Sequence, residues 1–396
     1  MKMDSDFLRQ ALRDHLAWWG LKHFSSDRDY FAWQRRQLSP KDLERLALHI
    51  ERKRKGNRRD EIAFYDLTAH PKIYPILYSQ RCEYYEEIGV RTAAHLDQAK
   101  DVLDFGCGIG VLTIFYARLF PEKHFVGVDR SSASIVVAQE KADRLGLRNL
   151  RFECVDVETD PLSGSYDLVV ATHALVQSEQ DPGLPSRSWR TFERGHDPTQ
   201  QLSFERRTGL GIRLDRLCRI LNSYGRMIVN EKTRQLARRV PFQRALANRE
   251  LKLAERPALI RYRTVEEVVE DGPFYVLHRG SEETMNWDEE PEQDQGQLFD
   301  LDAVSLSSGD VNVPLYENHR PSAQTAWEQL KDRDVMREIT CQASDGRQVH
   351  AERGSFRRQH YLYCANTFDQ RQLVIVEEAR SAMLEEYYQE IMRGLV

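Results

Sequence analysis

The chain holds six cysteines in 396 residues, at positions 82, 107, 154, 218, 341 and 364. None forms a C-x-x-C pair, which excludes a zinc ribbon or a thioredoxin-type motif. No Cys/His cluster has metal-ligand spacing, so no metal is expected. Scattered thiols of this kind fit a reduced, cytoplasmic enzyme. No apolar run approaches the length of a membrane span, and no membrane association is expected. The opening MKMDSDFLRQ brings acids early and no apolar stretch, so it does not read as a secretory signal. An excess of positive charge is missing too. Lys and Arg total 57 against 62 Asp and Glu, a net charge of −5, which gives no global electrostatic case for a nucleic-acid partner. Internal repeats, a P-loop, a nucleophile elbow and a paired-carboxylate hydrolase pattern are all absent. The length itself predicts two or three domains.

What is present centres on Ala99–Asp129, AKDVLDFGCGIGVLTIFYARLFPEKHFVGVD. The short apolar run Val102–Phe105 leads into Gly106-Cys107-Gly108-Ile109-Gly110. A helical pattern follows, with Leu112, Phe115, Tyr116 and Leu119 on one face. A second apolar run, His124–Val128, ends in Asp129. Strand, glycine turn, helix, strand and acid make a nucleotide-binding βαβ unit. Glycine permits positive φ and close approach of backbone to a ligand. A dinucleotide fingerprint would place glycine at 111. Val111 stands there instead, which weakens the case for a pyrophosphate at the helix N-terminus.

This stretch resembles motif I and the following acid of the class I S-adenosylmethionine-dependent methyltransferases. The resemblance covers about residues 85–280. It implies an α/β fold, a Rossmann-like class I methyltransferase sheet, with a helical N-terminal cap and a C-terminal α+β accessory region outside it. It also implies S-adenosylmethionine as cofactor, with the glycine loop under the methionine part and Asp129 on the ribose. Leu150–Val155 reads as a third strand, and Asp156 matches the family's adenine-contacting acid, with Val157 as apolar wall. Asp104, Gly106, Cys107, Gly108, Gly110, Arg130 and Thr172 complete the expected cofactor set. Tyr74 and Tyr78 lie one turn apart before motif I; they either line the cofactor or substrate pocket or pack against the sheet. Tyr166–Leu175 (YDLVVATHAL) matches the family's fourth strand, beyond whose carboxyl end the methyl acceptor lies. His173 is there, as general base or orienter, or as a structural histidine bonded to backbone.

Around this unit the chain divides into a helical cap (1–84), the cofactor domain (85–280), an acidic excursion (281–310) and an α+β region (311–396). In the cap, Ser39 and Pro40 mark a helix start, and the basic run Arg52–Arg59 reads first as a solvated helix end. Trp18, Trp19, Phe31 and Trp33 read as core. Gln177–Gln201 is long and polar. It reads as an active-site or substrate loop, with Trp189, Phe192 and His196 as contacts. Arg187, Arg190, Arg194, Arg206 and Arg207 in or beside it are either receptors for an anion or solvated surface. Helices are expected over Ser203–Asn222, Leu236–Leu253, Val265–Glu270 and Gln370–Met392. Strands are expected over Arg226–Lys232, Phe274–His278 and Tyr361–Cys364. Met336–Gln342 and Arg347–Glu352 form a hairpin about Ser344-Asp345-Gly346. The C-terminal strands either extend the methyltransferase sheet or form a separate module.

The function this implies is methyl transfer to O or N of a small-molecule acceptor, an anionic metabolite being one option, by in-line displacement. Protein or RNA methylation, and cofactor binding without turnover for a partner protein, are the alternatives. Arginine methylation is disfavoured because ATHALVQSEQ after the fourth strand lacks a glutamate pair. An Asn-Pro-Pro-Tyr motif is also missing there. A homodimer is compatible with the sequence.

Overall fold

The computed structural model describes residues 4–54, 58–176, 181–280, 285–291, 294, 296–304, 313–343 and 346–393. Six helices come first: α1 Ser5–Trp18, α2 Asp27–Gln37, α3 Pro40–Arg54, α4 Arg58–Thr68, α5 Tyr74–Ser79 and α6 Cys82–Ala93. Ser39 precedes α3 as expected, its Oγ accepting from the Asp42 N–H at 3.2 Å and donating to the Asp42 carboxylate at 2.7 Å.

The alternating part follows: β1 Asp101–Phe105, α7 Val111–Leu119, β2 His124–Asp129, α8 Ser132–Arg144, β3 Leu150–Cys154, β4 Tyr166–Thr172, α9 Pro198–Arg207, α10 Leu210–Ile220, β5 Leu221–Asn230, α11 Leu236–Ala247 and β6 Leu251–Leu253. Three two-residue strands, β7 Ala258–Leu259, β8 Tyr262–Arg263 and β9 Val268–Val269, precede β10 Pro273–Arg279. The main sheet runs β3-β2-β1-β4-β5-β10-β6, with β7 beside β10. Neighbours among β1 to β5 pair in parallel; β10 is antiparallel to both β5 and β6. The central strands are buried on both faces, which is why they read as unbroken apolar runs. Ser131 caps α8, its Oγ accepting from the Ser134 N–H. Leu8, Leu12 and Leu16 of α1 share one core with Val111, Ile114 and Phe115 of α7.

The expected helix over Ser203–Asn222 is broken. Thr208 bonds back to the Phe204 carbonyl, and Gly209, at φ 69°, starts α10 afresh. The fifth strand begins at Leu221 rather than Arg226. Leu221 pairs with Tyr166 and pairing resumes at Arg226 with Leu168, leaving Asn222–Gly225 out of register. Helix 236–253 stops at Ala247, because Leu251 and Leu253 alternate into the core as a sheet strand. Val265–Glu270 is not a helix. The Thr264 N–H bonds the Glu267 carbonyl, and the β-branched pair Val268-Val269 joins Tyr262–Arg263 in a small ribbon.

The last elements are α12 Leu301–Val304, β11 Tyr316–Asn318, α13 Ser322–Glu328, β12 Asp334–Gln342, β13 Gln348–Phe356, β14 Gln359–Asn366, β15 Arg371–Glu377 and α14 Ser381–Arg393. The expected single helix over Gln370–Met392 is therefore a strand followed by a helix. Its LVIV run favours the pleated sheet, where β15 pairs with both β14 and β11. These strands form their own antiparallel sheet, β11-β15-β14-β13-β12, and do not extend the first. The hairpin residues Ser344 and Asp345 lie outside the described residues, as do parts of the acidic excursion, of the basic run Arg52–Arg59 and of Gln177–Gln201.

Two compact units result. One comprises Met1–Asp181, Leu202–Arg234 and Phe242–Trp287; the other comprises Pro182–Gln201, Gln235–Pro241 and Asp288–Val396. Within the second, Trp189, Trp327, Tyr361 and Tyr363 pack together, and Leu362, Val374 and Val376 meet Leu384 and Tyr388 of α14.

Candidate functional site

A cavity of about 380 Å³ lies in the first unit, at the carboxyl ends of β1, β2 and β4. Its floor is the glycine loop. Gly106, Gly108 and Gly110 all have positive φ, at 76°, 55° and 80°. The N–H groups of Gly106 and Cys107 both donate to the Val128 carbonyl, tying the loop to β2. A Cβ on Gly108 would meet only the Tyr78 hydroxyl, at 3.6 Å, so this backbone faces open space.

Asp129 ends β2 with its carboxylate between two amides, Gly108 N–H at 3.0 Å and Ser131 N–H at 2.8 Å. Burial raises its pKa against the opposing effect of those amides. Asp104 is buried below the loop, accepting from Thr113 Oγ1 at 2.5 Å. Burial, opposed by Thr113 and reinforced by the Asp129 charge, lifts its pKa to about 6. Helix α4 supplies the facing wall. Arg58 Nη2 is 2.5 Å from Asp156 Oδ2, Glu61 Oε1 is 2.5 Å from Arg130 Nη2, and Asp66 accepts from Ser131 Oγ at 2.7 Å.

His173, the first residue after β4, stands at the other end with φ 53°, a strained value for a non-glycine residue. Its N–H donates to the Asn230 carbonyl at 2.8 Å. Its ring stacks on Tyr84, with centroids 4.7 Å apart, and Nε2 is 3.2 Å from Asp271 Oδ2. Burial holds the imidazole below its ordinary 6.5, with Asp271 opposing. Burial would raise Asp271, but His173 and Tyr262 outweigh it and hold that carboxyl well below its usual range. The segment after His173 is clamped on both sides. Glu231 accepts from the N–H groups of Ala174 at 2.7 Å and Leu175 at 2.6 Å, and Arg213 donates to the carbonyls of the same two residues. Burial lifts Glu231 to about 7, against the amides it accepts.

Of the expected site residues, Asp104, Gly106, Cys107, Gly108, Asp129, Arg130, Asp156, Val157, Thr172, His173 and Tyr78 line this cavity. Two do not. Gly110 caps α7, and a Cβ there would strike Phe152 at 2.7 Å, so its role is packing. Tyr74 is buried in the core against Trp19, ring centroids 5.7 Å apart. Trp189, Phe192 and His196 do not line it either. Trp189 is stacked on His350 in the second unit, centroids 3.6 Å apart, and Phe192 lies under Arg371. Three of the five arginines of that stretch pair with acids, Arg187 with Glu193, Arg194 with Asp369 and Arg207 with Asp181; Arg190 lies over the Trp189 ring and Arg206 is exposed, and none of the five lines the cavity.

The sequence reading passed over Arg58, Glu61, Asp66, Arg81, Arg213 and Asp271. Arg58 lay inside the conspicuous basic run. Asp271 is 98 positions from His173 (271 − 173) and gives no local signal. In the second unit Glu338, His350 and Glu352 come together with ligand-type atoms within 4.8 Å of one another. Glu352 Oε1 already accepts from Trp327, Arg333 and Tyr361, and the Arg333 charge disfavours a cation there.

Comparison with known proteins decides what this geometry belongs to. A family model described as a methyltransferase domain matches residues 96–272. Residues 96–272 form a class I methyltransferase domain. The cofactor of such domains is S-adenosylmethionine. Trans-aconitate 2-methyltransferase of Deinococcus radiodurans is 38% identical over 94 residues, 24% of this chain and 34% of that protein. Malonyl-[acyl-carrier protein] O-methyltransferase of Bacillus cereus is 36% identical over 70 residues, 18% of this chain and 25% of that one. The chain thus spans about a third or less of the length of these relatives. The N-methyltransferase NodS of Bradyrhizobium japonicum, solved with S-adenosyl-L-homocysteine, aligns at TM-score 0.35 and 14% identity over 49% of this chain and 85% of that one.

The residues of the methyltransferase domain fit its cofactor. Gly108 leaves a cradle that a Cβ would narrow. Arg130 Nη1 and Asp156 Oδ2 are buried and satisfied by no hydrogen bond of good geometry. Arg58 approaches Asp156 at ion-pair distance without completing one.

Proposed function

We propose that the chain transfers the methyl group of S-adenosylmethionine to an oxygen or nitrogen of a small acceptor by in-line displacement. The observation that supports this best is a single cavity bordered at one end by Asp129 and Asp156 and at the other by His173, just past β4. When bound, S-adenosylmethionine supplies an electrophilic methyl group. The protein's own contribution is positioning. Asp129 accepts the ribose hydroxyls, Asp156 accepts the adenine amine, and Val157 forms the apolar wall. Gly106–Gly108 and Tyr78 border the methionine part. His173, neutral near pH 7, accepts a proton from an O–H or N–H acceptor, and Asp271 fixes its ring. Helix α4 excludes water from the adenosine end.

A cavity of this size rimmed by Tyr65, Tyr78, Tyr84 and Tyr85 supports a small acceptor over a protein or RNA. No helix among the described residues is long and apolar enough to cross a membrane. Six free thiols suit a reducing, cytoplasmic setting.

Calorimetry with S-adenosylhomocysteine, paired with a methyl-release assay over a metabolite panel, tests the proposal. Binding with turnover is expected. Tight binding without turnover on any acceptor would favour a cofactor-binding partner protein instead.

A further inference from the structure

Three arginines line the cavity, and two have partners. Arg130 pairs with Glu61, and Arg213 Nη2 is 2.7 Å from Glu158 Oε1. The third, Arg81, has neither an ion pair nor a side-chain hydrogen bond among the described residues. It occupies the N-cap position of the twelve-residue helix α6, whose positive end adds to its field. That helix carries Tyr84, which lines the cavity and whose ring stacks on His173, so Arg81 stands at the acceptor end. Asp271, which accepts from the Tyr262 hydroxyl and lies 3.2 Å from His173 Nε2, eases the Arg81 charge from nearby without forming an ion pair with it among the described residues. A partly desolvated guanidinium that lines a cavity and has no ion pair of its own among the described residues leaves its donor fork open to an anionic ligand.

We infer that Arg81 is the receptor for a carboxylate group on the methyl acceptor. Arginine's planar fork fits the two oxygens of a carboxylate. One unpaired guanidinium matches one negative charge, whereas a phosphate dianion would call for further donors. None of the arginines 187, 190, 194, 206 and 207, which the sequence offered as anion receptors, lines the cavity, so the role passes to a residue on a different element. With the carboxylate on Arg81, the remainder of the acceptor lies toward His173 and Thr172. The inference rests on the methyltransferase reading above and names the chemical class its acceptor site takes.

The test uses the full chain saturated with S-adenosylhomocysteine. Acetate, succinate and 4-hydroxybenzoate are titrated against acetamide, succinamide and 4-hydroxybenzamide, with thermal shift and calorimetry as readouts. At least one acid is expected to bind saturably and its amide not. Arg81→Gln should weaken that acid about tenfold or more, and Arg81→Lys should keep part of the affinity. Both variants should bind S-adenosylhomocysteine as the unaltered protein does, which shows that they are folded. Equal binding of acid and amide, full acid binding by Arg81→Gln, or no acid binding at all would overturn the assignment. Failure of S-adenosylhomocysteine to bind the unaltered protein would instead bring down the methyltransferase reading beneath it.

Discussion

A Cβ built on Gly106 lies 2.4 Å from the Cβ of Ala174, so the first glycine of the loop and the segment behind His173 are in direct steric register. The φ of 76° at Gly106 adds a second reason for glycine. Gly106→Ala should therefore cost about 1–2 kcal/mol from backbone conformation alone, plus the clash. Denaturant unfolding measures the sum. Ala174→Gly in the same chain should recover the clash but not the conformational part; no recovery would show that the two residues are not coupled.

Glu231 should matter more to turnover than to the cofactor. Replacing it by alanine leaves the Ala174 and Leu175 amides without their acceptor, at roughly 1–3 kcal/mol, and frees the segment that carries His173. The loss should depend on pH. A carboxyl raised to about 7 when folded and titrating near 4.5 when unfolded contributes fully below 4.5, and that contribution fades as pH climbs to about 7. Urea unfolding at pH 5 and pH 8 should show the greater destabilisation at pH 5. An equal loss at both would argue that Glu231 does not titrate this way.

Activity should rise with pH through an acid limb below 6.5 as the His173 imidazole loses its proton. Asp271 favours the protonated ring, so Asp271→Asn should move that limb to lower pH. His173→Ala should abolish it and lower kcat while leaving S-adenosylhomocysteine affinity intact. A pH–rate profile that keeps its limb without the histidine would remove His173 from the proton's path.

Helix α4 is pinned over the Asp129–Asp156 end of the cavity by three separate side chains. Asp66→Ala removes one, the bond from Ser131 Oγ, together with a weaker one from the Ala133 N–H. A hydrogen bond to a carboxylate contributes about 1.5–3 kcal/mol, so release of S-adenosylhomocysteine should quicken about ten- to a hundredfold. Stopped-flow displacement measures this directly, and an unchanged rate would mean that α4 does not limit exit.

The sheet was legible where physics acts locally. Val102–Phe105, Phe125–Val128 and most of Tyr166–Thr172 are buried and so read as apolar runs, and Ser39 acts through its own turn, whereas Gly209 was read through. Errors arose where distant pairing decides. Leu251–Leu253 continued a helical pattern but is drawn into the sheet by β10, and the LVIV of β15 is claimed by strands on both sides. Asp129 and Asp156, which line the cavity, were readable because one ends a strand and the other closely follows one. Arg81 and the α4 wall were not, since they reach the cavity from chain before β1, and Asp271 meets His173 from far along the sequence. Tyr74 and Tyr78 show the limit of periodicity: one helical turn apart, one faces the cavity and the other Trp19.

The N-terminal helices also bear on how the protein is made. Residues 96–272 do not contain Arg58, Glu61, Tyr78, Arg81 or Tyr84, all supplied by chain that leaves the ribosome earlier. Leu8, Leu12 and Leu16 of α1 share a core with Ile88 of α6, which precedes β1, and with Val111, Ile114 and Phe115 of α7, which follow it. Until α7 has emerged that core is only partly covered, and transiently exposed apolar surface of this kind is what chaperones shield during translation.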